Sequence, residues 1–370
     1  MISTEKELKI CIETCLKAKT VAVDTEFVWE KTYYPILGLI QLATAEQSFL
    51  IDPIALDDIS PLAELMENEQ VTKILHDALQ DLQIISRAVN ALPKNIFDTK
   101  TAAGFCGLSS TLSLAALLET TTGVKLSKTE SRTDWTQRPL TPKQIEYAID
   151  DVIYMEKAYT TLTRLMKENE TDTWFLEEMK ALENPQHYSD KHSADKQFKR
   201  ISGSTKFKAR QLAVMQELIT WRENKAKKKD RPRNFIVDTN TLIDIALHAP
   251  KTTGELKAIK SVPRFVKERY AGELIEILHR GYKRDPQTYP KQFRPQLERK
   301  ALKNISNRIL TFAREKAETA NIDPQLVTSR KEVESFINKF IETKAEPSSR
   351  LNQGWRKTFF ADLTPFIKLN

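Results

Sequence analysis

The run TVAVDTEFVW (20–29) constrains the fold more than any other stretch of the chain. β-Branched and aromatic side chains dominate it, which reads as a strand, and the period of two places Asp24 and Glu26 on one face of that strand. Two carboxylates at the end of an apolar strand repel each other unless a cation lies between them, and hard oxygen donors favour Mg²⁺ or Mn²⁺. Strand-like runs follow at ILGLIQLAT (36–44) and QSFLID (47–52), with links short enough to imply antiparallel neighbours. Shorter strands are expected at TKILH (72–76) and NIFDT (95–99), with helices at SPLAELMEN, from Ala78 to Val89 and around 101–119. This is an α/β pattern with a mixed sheet.

Further acids recur at helical spacing. In KILHDALQDLQII, Asp77 and Asp81 stand one turn apart just after a strand, and in EYAIDDVIY, Tyr147 and Asp151 share a face while Asp150 points about 100° away. The second helix has a well-marked start, with Thr141 as N-cap, Pro142 at the first helical position and Gln144 completing a capping box, and it is expected to run to about residue 168. His76, without a ligand-spaced partner, is expected to be a packed, hydrogen-bonded histidine.

Charge divides the chain. Residues 1–190 hold 18 basic against 30 acidic side chains, a net −12, whereas residues 191–370 hold 39 against 20, a net +19. A basic half joined to an acidic one suits a grip on a polyanion beside a site for cations. Residues 184–206 are polar, contain Pro and Gly and read as a linker, and nearly everything beyond is helical. Cys11, Cys15 and Cys106 do not complete a zinc site and are expected to be reduced thiols. No stretch resembles a signal peptide or a membrane span, so a cytoplasmic protein is expected. Nine glycines and no Gly-rich phosphate loop imply no ATP or dinucleotide.

The order strand D-x-E, helix Asp, helix Y-x-x-x-D resembles the proofreading-type exonucleases that carry a tyrosine, and within them the ribonuclease D family. The loop LSKTESRTDWTQRPLT (126–141) resembles that family's stretch before its third motif, and the likeness covers essentially the whole chain. NKAKKKDRPRNFIVDTNTLIDIALHAPKTTGEL resembles an HRDC domain, and residues about 289–370 resemble a second, diverged copy. The resemblance implies an RNase H-like exonuclease domain over 1–200 and two small all-α HRDC-type domains over 207–288 and 289–370.

It also implies an active-site set of Asp24, Glu26, Asp81, Tyr147 and Asp151, the four carboxylates holding two divalent metal ions, Mg²⁺ or Mn²⁺. The implied activity is a 3′-to-5′ exoribonuclease that trims tRNA precursors and other structured RNAs with a free 3′ end, releasing nucleoside 5′-monophosphates. A single-strand DNA exonuclease and a catalytically silent RNA-binding scaffold are the competing readings, the latter disfavoured by the intact acidic set. The family often has a small residue where Asp77 stands, which implies a supporting or surface role for it. Lys128, Arg132 and Trp135 are candidates to clamp a phosphate and stack a base, the alternative for Trp135 being simply to anchor its loop. Lys228 and Arg231, in the run that also holds Lys225, Lys227, Lys229 and Arg233, are candidates to meet RNA phosphates. On charge alone, a fragment ending near residue 200 would still cleave short single strands.

Overall fold

The structure, a computed structural model, describes residues 1–126, 133–189, 193–202, 207–290 and 297–367. Two compact units emerge, one made of Met1–Val28, Leu37–Tyr188 and Pro295–Asn370, the other of Trp29–Ile36 and Ser189–Arg294.

The first unit is built on a five-stranded sheet, β1 (Thr20–Val28), β2 (Ile36–Ala43), β3 (Ser48–Ile51), β4 (Thr72–Leu75) and β5 (Ile96–Asp98), in the order β3-β2-β1-β4-β5. β2 and β3 are antiparallel, while β1, β4 and β5 run parallel, so the sheet is mixed as expected. Helices α1 (Glu5–Cys15), α2 (Leu62–Glu67), α3 (Leu79–Val89), α4 (Thr99–Phe105), α5 (Leu114–Thr122), α6 (Pro142–Ile153), α7 (Met155–Glu168) and α8 (Asp172–Leu182) surround it. Alternation along β1 sends Val21 and Val23 into a core with Leu8, Ile12, Leu82 and Ile85, and Ala22 into another with Ile74, Phe97, Met155 and Leu162. A central strand buried on both faces is what its near-continuous apolar composition demands. All three cysteines are reduced and buried. The helix expected over 141–168 has its capping box at Thr141 and Gln144, but it breaks at Tyr154 into α6 and α7.

The end of the chain belongs to the same unit. Helices α16 (Arg299–Thr319), α17 (Pro324–Val327), α18 (Arg330–Thr343), α19 (Gly354–Phe360) and α20 (Thr364–Ile367) share one core with α4, α7 and α8. Trp355 stacks on Trp174, with ring centroids 5.1 Å apart, and meets Phe105 edge-on at 5.5 Å. Buried Arg356 donates to the carbonyls of Leu326 (2.6 Å) and Val327 (2.8 Å) and pairs with Glu178, which also accepts from the Trp355 indole at 2.8 Å. Asp323 accepts from the backbone and hydroxyl of Ser110 at 2.6 and 2.8 Å. A Cβ on Gly104 would lie 2.5 Å from the Leu326 side chain, so any larger residue would displace the leucine that α17 packs there.

The second unit consists of α9 (Ser193–Ser202), α10 (Ala209–Lys229), α11 (Arg233–Ile236), α12 (Thr239–His248), α13 (Thr253–Ala258), α14 (Arg264–Arg269) and α15 (Ala271–Lys283). Part of the expected linker is thus helical, because Ala194, Phe198 and Ile201 form one apolar stripe that joins this unit's core. Tyr33, from the segment that follows β1, is buried there too, with its hydroxyl donating to Glu223 and accepting from Arg233 at 2.9 Å. Among the described residues, no helix is long and apolar enough to cross a membrane.

Candidate active site

β1 sets the first two acids. Asp24 and Glu26 continue the face that Ala22 begins, and α6, packed across β1 and β3, lowers Asp151 and Tyr147 onto that face. Oxygens of Asp24, Glu26 and Asp151 all lie within 4.8 Å of one another. Asp81, in the first turn of α3, is nearly buried and close enough to raise the pKa values of both β1 acids. Its carboxylate accepts a hydrogen bond from the hydroxyl of Thr25, the residue between the two acids. The Tyr147 hydroxyl faces Asp151, one turn further along the same helix, and the two perturb each other's ionisation. The structure thus brings together all five residues that the resemblance picks out.

Burial and mutual repulsion dominate the electrostatics. Asp24 is held well above the usual carboxylate range by burial and by the charges of Asp81, Asp151 and Glu26. Burial, with Asp151 and Asp81, pushes Glu26 up to about 9. Asp81 and Asp151 rise to about 6 through burial, opposed by the hydroxyls of Thr25 and Tyr147 respectively. Burial and then the Asp151 and Glu26 charges raise the Tyr147 hydroxyl, so it stays neutral across the physiological range. A set of oxygen-only donors that resists ionising by itself fits a hard divalent cation, which restores the charge balance.

This has a consequence for stability. Unfolded carboxylates titrate near 4, whereas the folded protein keeps protons on Asp81 and Asp151 to about 6 and on Glu26 to about 9. Between these limits the folded state binds more protons than the unfolded one, so stability is lost as pH rises. Thermal unfolding in chelator is expected to show a midpoint that falls from pH 5 to pH 9 more steeply than in millimolar Mg²⁺. Identical slopes in the two buffers would mean that the acids bind no cation.

The neighbours sort themselves out. His76 sits between the Thr99 hydroxyl (Nδ1, 2.9 Å) and the Leu112 carbonyl (Nε2, 3.1 Å), so both ring nitrogens are engaged in the fold. Asp77, at φ 60°, turns outward to an ion pair with Lys100 at 2.6 Å. Trp135 departs from its expected base-stacking role. Only 1% exposed, it packs with Leu39, Leu50, Leu140 and Ala148, its ring centroid 6.0 Å from Tyr147, and so backs the tyrosine while offering no face to a base. Lys128 and Arg132 lie outside the described residues. In the second unit Lys228 and Arg231 are exposed, whereas Lys225 pairs with Glu273 (2.8 Å) and Arg233 with Glu223 (2.5 Å).

Sequence reading alone missed Arg138. It grips Asp52 through two bonds (2.6 and 2.7 Å) and the carbonyls of Gly38 (2.6 Å) and Trp135 (2.9 Å), tying the stretch before α6 to the sheet. Burial disfavours the Asp52 charge, yet Arg138 and the amides of Ile54 and Ala55 hold it below the usual range. Gly38 permits this approach, since a Cβ there would lie 2.6 Å from the Trp135 carbonyl. The signal was an Asp and an Arg 86 residues apart, which no local pattern links.

Known proteins match this arrangement. Residues 1–167 match the 3′-5′ exonuclease family and residues 211–278 the HRDC domain. The chain is 38% identical to ribonuclease D of Desulfotalea psychrophila, over 98% of this chain and 96% of that protein. It is 32% identical to ribonuclease D of Escherichia coli K12, again over 98% and 96%. The crystal structure of Escherichia coli RNase D, described as an exoribonuclease involved in structured RNA processing, superimposes with a TM-score of 0.90 at 30% identity, covering 99% of this chain and 98% of that one. With a half-buried acidic cluster on an exonuclease sheet and this kinship along its whole length, the chain belongs to the ribonuclease D family of 3′-to-5′ exoribonucleases.

Proposed function

We propose that Asp24, Glu26, Asp81 and Asp151 hold two divalent cations, Mg²⁺ or Mn²⁺, and that the protein uses them to trim tRNA precursors and other structured RNAs from a free 3′ end. The observation that carries this reading is the clustering of Asp24, Glu26 and Asp151 within 4.8 Å, with Asp81 beside them. When bound, such cations ease deprotonation of water and offset charge at the scissile phosphate and the departing 3′ oxygen. The carboxylates fix where that charge compensation sits and repel phosphates elsewhere. Tyr147 stays neutral, so its hydroxyl orients the attacking water and does not remove its proton, with Asp151 facing it from the next turn of the helix. Attack of water on phosphorus breaks the P–O3′ bond, so the shortened RNA keeps a 3′ hydroxyl and the terminal residue leaves as a nucleoside 5′-monophosphate.

Tyr147→Phe is expected to bind RNA and cation almost normally and to turn over about 10² to 10⁴ times more slowly, the range typical of groups that position or move protons. Single-turnover rates measure this, and a loss under about threefold would assign the tyrosine to packing alone.

On the sequence the chain carries an exonuclease module (1–200), an HRDC module (207–288) and a diverged HRDC-like module (289–370), but Ser193–Ser202 pack with the second of these and the last helices complete the core of the first. Its action is placed in the cytoplasm. Exposed Lys228 and Arg231 would meet RNA phosphates. For Lys228→Glu with Arg231→Glu, the slope of log affinity against log salt is expected to flatten by roughly 0.7–0.9 for each phosphate that is no longer neutralised. RNA binding in Ca²⁺ at varied salt measures it, and an unchanged slope would give these two residues no part in binding.

The substrate is tested by matched polymers: a tRNA precursor with a 3′ extension, the same RNA with a blocked 3′ end, and single-stranded DNA of the extension's sequence. Trimming confined to the first substrate supports the reading. DNA degraded as fast as RNA would overturn the substrate assignment.

A further inference from the structure

Gln41 is fully buried, and both its amide oxygen and its amide nitrogen lack a hydrogen-bond partner among the described residues. Buried amides in folded proteins are almost always paired, because each unpaired group costs about 1–3 kcal/mol. Its position says what it is for. In β2, Ile40 and Leu42 point into the core shared with Val21 and Val23, so Gln41 points to the opposite face. Its cross-strand partner is Leu50, which packs with Trp135 and Ala148. Along β2 it is flanked by Leu39, in the cluster of Ala148, and Ala43, in the cluster of Val152. Ala148 and Val152 bracket Asp151 on α6, which packs across β1 and β3 with β2 between them. The amide therefore lies in the layer between sheet and helix that also holds Asp24, Glu26 and Asp151.

We infer that Gln41 is a positioning residue of the carboxylate site: its Nε2–H donates to Asp151 when that carboxylate is ionised and holds a cation. An ionised carboxylate offers about four acceptor positions; Tyr147 takes one and a cation one or two, which leaves room for the amide. The donated bond fixes the rotation of the carboxylate about its own axis, and with it the direction of the lone pairs that meet the cation. This rests on the reading of Asp24, Glu26, Asp81 and Asp151 as cation ligands.

The test uses the full chain as Gln41→Met and Gln41→Leu, apolar replacements of similar volume. Three quantities are read: the unfolding midpoint in chelator, Mn²⁺ affinity by calorimetry without RNA, and kcat and KM on a short RNA. Expected are a midpoint equal to or above wild type in chelator, Mn²⁺ affinity weakened about 10- to 100-fold as for other partners of metal-binding side chains, and a lower kcat with little change in KM. Mn²⁺ affinity and kcat within about twofold of wild type would overturn the inference, showing an amide that is merely buried. Loss of fold in both variants would overturn it as well, by showing that the amide supports the core itself. If wild type binds no Mn²⁺, or Asp24→Asn binds it equally well, the ligand assignment fails and not the role of Gln41 alone.

Discussion

Asp24→Asn is expected to leave the protein folded and to cut exonuclease activity by at least the roughly 10² to 10⁴ that positioned acid–base groups supply. The folded state should in fact gain. Asp24 is half-buried among Asp81, Asp151 and Glu26, which oppose its ionisation, so the folded state must keep a proton there that the unfolded chain releases; an amide removes that cost in chelator and raises the unfolding midpoint. Activity and stability are thus predicted to move in opposite directions, and the same trade is expected for Asp151→Asn, whose carboxyl is pushed up to about 6. Opposite movement separates a functional site from a structural one, because a core hydrogen-bonding residue loses both together. Calorimetry with single-turnover digestion checks it. A variant that is both fully active and no more stable would remove Asp24 from the site.

Truncation near residue 200 is expected to destroy the catalytic unit, against the expectation from charge alone that such a fragment would still cleave short single strands. The physical reason is the shared core: Phe105, Trp174 and Phe175 pack in one cluster with Trp355, Phe359 and Ile305. If water regains half the surface of just those first three side chains, at about 25 cal/mol per Å² of the about 150–250 Å² each buries, the loss is about 6–9 kcal/mol. Domains commonly have only about 5–15 kcal/mol to lose. Glu178 would also be left without Arg356 and the Trp355 indole. The fragment should be insoluble or lack a cooperative unfolding transition, whereas a soluble, cooperatively folding fragment would show that α16–α20 are dispensable to the core.

What could be read beforehand follows the range of the interactions. Asp24 and Glu26 were legible because strand alternation is a two-residue rule, and Tyr147 with Asp151 because a helix repeats every turn. The capping box at Thr141 and Gln144 spans three residues, and it formed as expected. Asp81 was told apart from Asp77 by family resemblance, and the structure shows a physical difference: Asp77 adopts a left-handed backbone that turns it outward to Lys100, while Asp81 follows one helical turn later and meets Thr25. The two readings of Trp135 are separated by Gly38 and Arg138, since a base-stacking and a loop-anchoring tryptophan look alike until those partners are known. Residues 193–202 read as linker because only Ala194, Phe198 and Ile201 interrupt a polar stretch. The docking of the last helices rests on Arg356 and Glu178, 178 residues apart, and no periodicity reaches that far.

A cation-dependent carboxylate site that removes nucleotides from the 3′ end of RNA is the central feature proposed for this protein. Its most direct measurement is digestion of a 5′-labelled RNA by wild type and by Asp151→Asn, each with Mg²⁺ and with chelator, on substrates with a free or a blocked 3′ end. Wild type with Mg²⁺ should yield a ladder shortening one nucleotide at a time from the free 3′ end, with nucleoside 5′-monophosphates released. Every other combination should leave the label at full length. Internal cleavage of the blocked RNA, or a ladder from wild type in chelator or from the variant with Mg²⁺, would contradict the account.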